Sequence, residues 1–174
     1  MRFTATKLEG AWIVEPDPHK DNRGLFARTF CACEFRNQGL VSSFVQCNTS
    51  WNASGGTVRG LHYQLPPSGE VKLVRCTAGS LCDIIVDFRP ASPTYLQHVS
   101  VELSAQNRRA LYVPQLFAHG FQTLEDGTEV FYQMSEFYAP NLGRGLRYDD
   151  PKLGIDWPLP VASISDQDLN WPLL

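Results

Sequence analysis

Val71-Lys72-Leu73-Val74-Arg75-Cys76-Thr77, Ala78-Gly79-Ser80, Leu81-Cys82-Asp83-Ile84-Ile85-Val86-Asp87-Phe88: two apolar-rich runs are joined by a short turn built around a glycine. The first run alternates, as a strand does when one face is buried. Read together, the two form a β-hairpin. The second run is apolar at almost every position, the pattern of a strand covered on both faces. Asp83 and Asp87 interrupt it four residues apart, on one side of that strand. A buried carboxylate needs a partner. For Asp87 the neighbouring Arg89 is the expected one.

Outward from this hairpin the chain keeps the same character. Ala11 to Glu15, Leu25 to Phe30, Ser43 to Asn48 and Thr57 to Gln64 read as strands before it. Between them lie the turns Pro16-Asp17-Pro18, Asp21-Asn22-Arg23-Gly24 and Ser54-Gly55-Gly56. After it come His98 to Leu103, Arg109 to Val113 and Glu129 to Glu136. Pro114 to Phe121 is expected to be a loop that enters a strand. Helical signal is confined to Glu34-Phe35-Arg36-Asn37-Gln38, stopped by Gly39. Beyond Ala139-Pro140 the chain is loop-rich, with turns at Asp149-Asp150-Pro151 and Trp157-Pro158. Many short strands at near-even spacing predict an all-β sandwich or barrel.

Composition narrows the function classes. The chain has 174 residues, 43% of them hydrophobic and 11% aromatic, enough for one domain, residues 1–174, with a substantial core. A net charge of −3 argues against non-specific nucleic-acid binding. No apolar run approaches the roughly 20 residues of a membrane span, and the N-terminus lacks the apolar core of a secretion signal. Five cysteines without framework spacing read as free thiols in a reducing cytoplasm. Cys31-Ala32-Cys33 is too tight for a zinc pair, so no metal is expected.

One strand carries chemistry. In Arg59-Gly60-Leu61-His62-Tyr63-Gln64, Leu61 and Tyr63 point to one side, while Arg59, His62 and Gln64 tend toward the other. A guanidinium and an imidazole side by side suit a phosphorylated substrate that must exchange a proton. Taken alone, the six residues favour an ordinary strand with a polar outer face.

Ten stretches in order shift that balance. They are Asp21-Asn22-Arg23-Gly24-Leu25-Phe26, Phe44-Val45-Gln46-Cys47-Asn48, Arg59 to Gln64, Lys72-Leu73-Val74-Arg75, Val86-Asp87-Phe88-Arg89 and Val101-Glu102-Leu103-Ser104. Pro114 to Phe121, Phe137-Tyr138-Ala139-Pro140, Asp149-Asp150-Pro151 and Ser165-Asp166-Gln167-Asp168 complete the set. With these, nearly the whole chain resembles the dTDP-4-dehydrorhamnose 3,5-epimerase family. The resemblance implies a double-stranded β-helix of the jelly-roll, cupin-like type with a few short helices. It implies no cofactor, a nucleoside diphosphate 4-keto-6-deoxyhexose as substrate, and a homodimer in which an N-terminal segment of one subunit covers the other's site.

A 4-keto sugar has acidic C–H bonds at C3 and C5, because the carbanion spreads onto the C4 oxygen. Inversion needs a base on one face, an acid on the other and a stabiliser for the enolate. His62 fits the base, since imidazole ordinarily titrates near neutrality. By match to the family's C-terminal Ser-x-x-Asp motif, Asp168 is its orienting carboxylate; the residues alone leave Asp83 and Asp166 equally open. The match also makes Tyr132 the acid and Lys72 the enolate stabiliser. Arg23 and Arg59 match diphosphate-binding positions, and Gln46 and Asn48 match polar nucleotide contacts. Phe26 and Tyr138 match aromatic nucleotide contacts, and His119 a supporting place in the site. Arg28 stands where the family carries Glu, a donor in place of an acceptor, which leaves the base open among dTDP, CDP and GDP sugars. Cys47-Asn48-Thr49-Ser50 replaces the family's Asp-Asn-His-Ser.

Four rival readings stand beside this one. A mono-epimerase would share most of these motifs. A metal-dependent cupin needs a His-x-His pair, and the four histidines, His19, His62, His98 and His119, form none. A sugar-nucleotide 3,4-ketoisomerase would use similar enolisation. A non-catalytic sugar-nucleotide-binding module would have no use for His62, Lys72, Tyr132 and Asp168 together.

Overall fold

A computed structural model describes all residues, 1–174. Its elements are β1 (Arg2–Ala5), β2 (Trp12–Glu15), β3 (His19–Asp21), β4 (Gly24–Phe26), α1 (Ala32–Asn37), β5 (Gln46–Asn52), β6 (Val58–Gln64) and β7 (Lys72–Ala78). They continue as β8 (Ser80–Asp87), β9 (His98–Ser104), β10 (Ala110–Val113), β11 (Phe117–Thr123), β12 (Thr128–Met134), β13 (Gly143–Gly145) and α2 (Asp166–Leu169).

The strands form two antiparallel sheets packed face to face, a jelly-roll of the cupin-like kind, as expected. One sheet has the order β1-β2-β10-β7-β12-β5 and the other β13-β6-β11-β8-β9; β3 and β4 make a separate hairpin. The β7–β8 turn carries Gly79 at φ +70, and a Cβ there would meet Thr128 Oγ1 at 2.5 Å. Only glycine fits so close a left-handed turn.

The core divides by face. Between the sheets lie Val74, Cys76, Leu81, Ile85, Leu103, Leu111, Phe117, Phe121 and Val130. On the outer face of the second sheet, Leu61, Tyr63, Ile84, Val86 and Ala118 are covered by Leu146, Leu153, Trp157 and Leu174 from the C-terminal segment. That double cover is why β8 is apolar at most of its positions. On the outer face of the first sheet, Phe35 of α1 joins Val14, Leu73 and Tyr112, with Phe30 and Phe44 packed alongside.

Several local expectations need correction. The strand expected over Leu25 to Phe30 ends at Phe26, and the loop expected at Pro114 to Phe121 becomes β11 at Phe117. Strands β1, β3 and β13 and helix α2 went unread. Helix α1 begins earlier than expected, at Ala32, while Gly39 follows its end at φ +72. Asp87 is fully buried and is held by Arg89 at 2.7 Å, Thr94 at 2.7 Å and Ser92 at 2.5 Å, in line with the expected pairing.

Candidate active site

A cleft of about 640 Å³ opens between the sheets and is lined by His62, Lys72, His119, Tyr132, Arg59 and Asp168, among others. A second lobe of about 430 Å³ shares His62, Lys72 and Asn48 with it, and adds Gln46, Tyr138, Arg144 and Trp171.

A bulge makes this arrangement possible. Along β11, His119 faces His62 and Phe121 faces Arg59, so one residue of β11 stands opposite two of β6. The extra residue lets Arg59 and His62, three apart, line the same cleft, which a regular strand forbids. Gly60 sits at φ +125 in the bulge, where a Cβ would meet Gly120 Cα at 2.5 Å and the His119 carbonyl at 2.8 Å.

His62 Nε2 lies 2.6 Å from Asp168 Oδ1. The carboxylate only accepts, so Nε2 is the donor of the pair, which in the neutral ring leaves the lone pair on Nδ1. Asp168 is 3% exposed. It stands on α2, whose N-cap Ser165 accepts its backbone N–H at 3.1 Å. Its Oδ2 accepts the Gly60 amide at 3.2 Å. Burial by itself would raise the Asp168 pKa. The His62 hydrogen bond and charge, with the Gly60 amide, more than offset this and hold the carboxyl below its ordinary range.

Tyr132 projects from β12 with its ring edge-on to His119, centroids 6.1 Å apart. Burial first, and then the charge of Asp83, raise its phenol well above the ordinary range; Ser50 and Arg59 act in the other direction. A second buried pair stands beside it: His119 Nε2 is 2.6 Å from Asp83 Oδ1. Sequence reasoning left Asp83 without an assigned partner. A carboxylate with no neighbouring cation in an apolar run was the available signal.

Lys72 is buried on β7, donating to the His62 carbonyl at 2.9 Å and pairing with Glu70 at 3.2 Å. Glu70 was not anticipated. Arg59 Nε donates to Asn52 Oδ1 at 2.7 Å, which fixes its reach into the cleft. Gln46 donates to Asn48 at 3.2 Å and accepts the Tyr138 amide, leaving the Tyr138 ring 69% exposed at the rim.

Three expected site residues stand elsewhere in the single chain. Arg23 and Phe26 belong to the β3–β4 hairpin, whose residues are all exposed; Arg23 pairs with Asp21, and Phe26 is 76% exposed. Arg28 pairs with Glu34 at 3.0 Å, and Glu34 also binds the N-terminal amine at 2.8 Å. None of the three lines the cleft. All five cysteines are free, and no helix is long and apolar enough to cross a membrane.

Comparison with known proteins places this geometry. The family model for dTDP-4-dehydrorhamnose 3,5-epimerase matches residues 5–174. A protein of that name from Methanothermobacter thermautotrophicus is 44% identical over 98% of this chain and 93% of its own length. The Bacillus anthracis dTDP-4-dehydrorhamnose 3,5-epimerase, solved with TDP and PPi bound, superposes at a TM-score of 0.96 with 39% identity, covering 99% of each chain. A dTDP-6-deoxy-D-glucose-3,5-epimerase from Legionella pneumophila, in complex with dTDP-4-keto-L-rhamnose, gives a TM-score of 0.92 at 37% identity, covering 99% of this chain and 92% of that one.

Proposed function

From its membership in the dTDP-4-dehydrorhamnose 3,5-epimerase family, we propose that this chain converts dTDP-4-keto-6-deoxyglucose to dTDP-4-keto-rhamnose by inverting C3 and C5. The observation that carries this reading is the His62–Asp168 pair at 2.6 Å in one cleft with Tyr132 and Lys72.

His62 Nδ1 removes the proton beside the ketone, and the electron pair moves onto the C4 oxygen. Asp168 stabilises the imidazolium that forms. Lys72, charged and buried, holds the enolate oxygen, where a low dielectric strengthens its attraction. Tyr132 then returns a proton to the opposite face of the same carbon. Its raised pKa keeps the phenol protonated until a carbanion takes the proton. Solvent exchange resets both groups, and the cycle repeats at the second carbon. No redox step occurs, so the reaction calls for no cofactor.

Arg59 grips the diphosphate through its forked donors. Gln46, Asn48 and Tyr138 line the second lobe and take the nucleoside end, with Tyr138 offering a ring face. His119, locked by Asp83, supports Tyr132. Arg23, Phe26 and Arg28 serve the cleft of a second subunit. This explains a solvent-exposed aromatic and a hairpin joined to neither sheet, and it makes the working form a homodimer. Five free thiols fit a cytoplasmic setting.

Proton NMR of dTDP-4-keto-6-deoxyglucose in heavy water tests the reaction. Deuterium at both C3 and C5 with new ring stereochemistry is the expected result. Deuterium at one carbon makes the protein a mono-epimerase. No exchange, with exchange on a CDP or GDP sugar instead, moves the substrate assignment to Arg28.

A further inference from the structure

The segment that delivers Asp168 also delivers an indole. Trp171 stands three residues beyond Asp168, and its Nε1 donates to Asp168 Oδ1 at 3.3 Å, the same oxygen that binds His62 Nε2. The ring lies against β13: a Cβ on Gly145 would sit 2.2 Å from two indole atoms, so the glycine leaves the space the ring fills. Gly145 in turn pairs with His62 across the β13–β6 ladder. The tail beyond is tied down, since the Leu174 amide donates to the buried Asp150 at 2.7 Å. Trp171 therefore touches the carboxylate by its N–H and the strand next to the imidazole by its face. It also lines the second lobe of the cleft.

We propose that Trp171 is a positioning residue for the catalytic pair: its N–H shares Asp168 Oδ1 with His62, fixing the carboxylate and tempering its pull on the imidazole. The inference rests on His62 being the base. A carboxylate oxygen with two donors gives less charge to each. Without the indole donor, Oδ1 turns wholly to His62. The imidazolium is then better stabilised. The carboxylate also gains freedom to rotate. The other charged or titratable groups around the pair are Lys72 with Glu70 from the β7 side, His119 with Asp83 from β11 and β8, Tyr132 from β12, Arg144 from β13 and Arg59 from β6. None of these bonds to Oδ1, so the indole is the one donor whose removal acts on that oxygen directly.

The test is Trp171→Phe, which keeps an aromatic ring over Gly145 and deletes the donor, compared with Trp171→Ala and Gly145→Ala. For Trp171→Phe, kcat is expected to fall about fivefold, the worth of one hydrogen bond, with KM within about twofold. The acidic limb of its kcat profile should move to higher pH. Gly145→Ala, which displaces the ring, should reproduce both changes. In the wild type, the part of the indole fluorescence that Trp171→Phe removes should titrate with the acidic limb, and His62→Ala should abolish that titration. A Trp171→Phe enzyme matching wild type in kcat and acidic limb, with only Trp171→Ala impaired, would reduce the indole to packing and overturn the proposal. Normal deuterium exchange in His62→Ala would instead overturn the assignment of the base, a separate failure.

Discussion

At the scale of single residues, two buried carboxylates each hold a histidine of the cleft at 2.6 Å. Asp168 holds a histidine half exposed to the cleft, and Asp83 one nearly buried in the cleft wall. The division of labour with Tyr132 is directly testable. Tyr132→Phe should leave proton loss to solvent in place while completed inversion falls by about a hundredfold or more, the usual worth of a general acid. Exchange and product formation followed in one heavy-water NMR sample check this, and an unchanged product ratio would remove Tyr132 from the role. A third carboxylate, Asp87, has a structural part. Burial acts to raise its pKa, but the hydrogen bonds from Arg89, Ser92 and Thr94 outweigh that and hold it well below the usual carboxylate range. Because the folded pKa is depressed, this stabilisation is present above the unfolded pKa of about 3.9 and is lost as pH falls through that value toward the folded one. Asp87→Ala should cost about 3 kcal/mol at pH 7, as expected when a buried ion pair loses one member. The deficit should shrink in urea titrations repeated at lower pH.

At the scale of elements, most of what a sequence can express was legible. The β7–β8 hairpin, the strands β5, β6, β9, β10 and β12 and the helix around Phe35 each announce themselves through alternation or a glycine stop. Three-residue strands such as β3 and β13 do not, because alternation needs length. Strand β11 was obscured by Pro114, although the proline lies three residues before the pairing begins. The motif match pointed to His62, Tyr132 and Lys72. The bulge that brings Arg59 and His62 to one cleft could only be guessed at from Gly60, since a bulge is a relation between two strands. The Asp83–His119 pair was hidden for the same reason: its members are 36 residues apart and meet across β8 and β11. Gly60→Ala tests the bulge. Its Cβ would press on backbone from two residues at a positive φ that L side chains avoid. A loss of about 3 kcal/mol is expected, readable as a lowered melting temperature. The folded fraction should also lose exchange activity, because His62 and Arg59 no longer share a face.

At the scale of the whole molecule, the hairpin carrying Arg23 and Phe26 is the feature that a single chain leaves unexplained. If it completes a neighbouring subunit, two separately dead variants should rescue each other. His62→Ala and Arg23→Ala subunits mixed and reassociated at equal amounts should recover about a quarter of the wild-type sites, since half of the symmetric dimers are mixed and each mixed dimer holds one intact site. No gain over the starting proteins would place the hairpin outside the neighbour's cleft. The other peripheral piece is the C-terminal tail. The core between the two sheets is drawn from residues between Leu8 and Val130, whereas Asp168 arrives on a four-residue helix reached through the exposed stretch from Pro158 to Ala162. Cohesion and competence are therefore lodged in different parts of the chain. A cut in that exposed stretch followed by loss of the tail would leave the core between the sheets in place, yet take away the carboxylate that holds His62. For this molecule, passing every test of being folded says little about being alive.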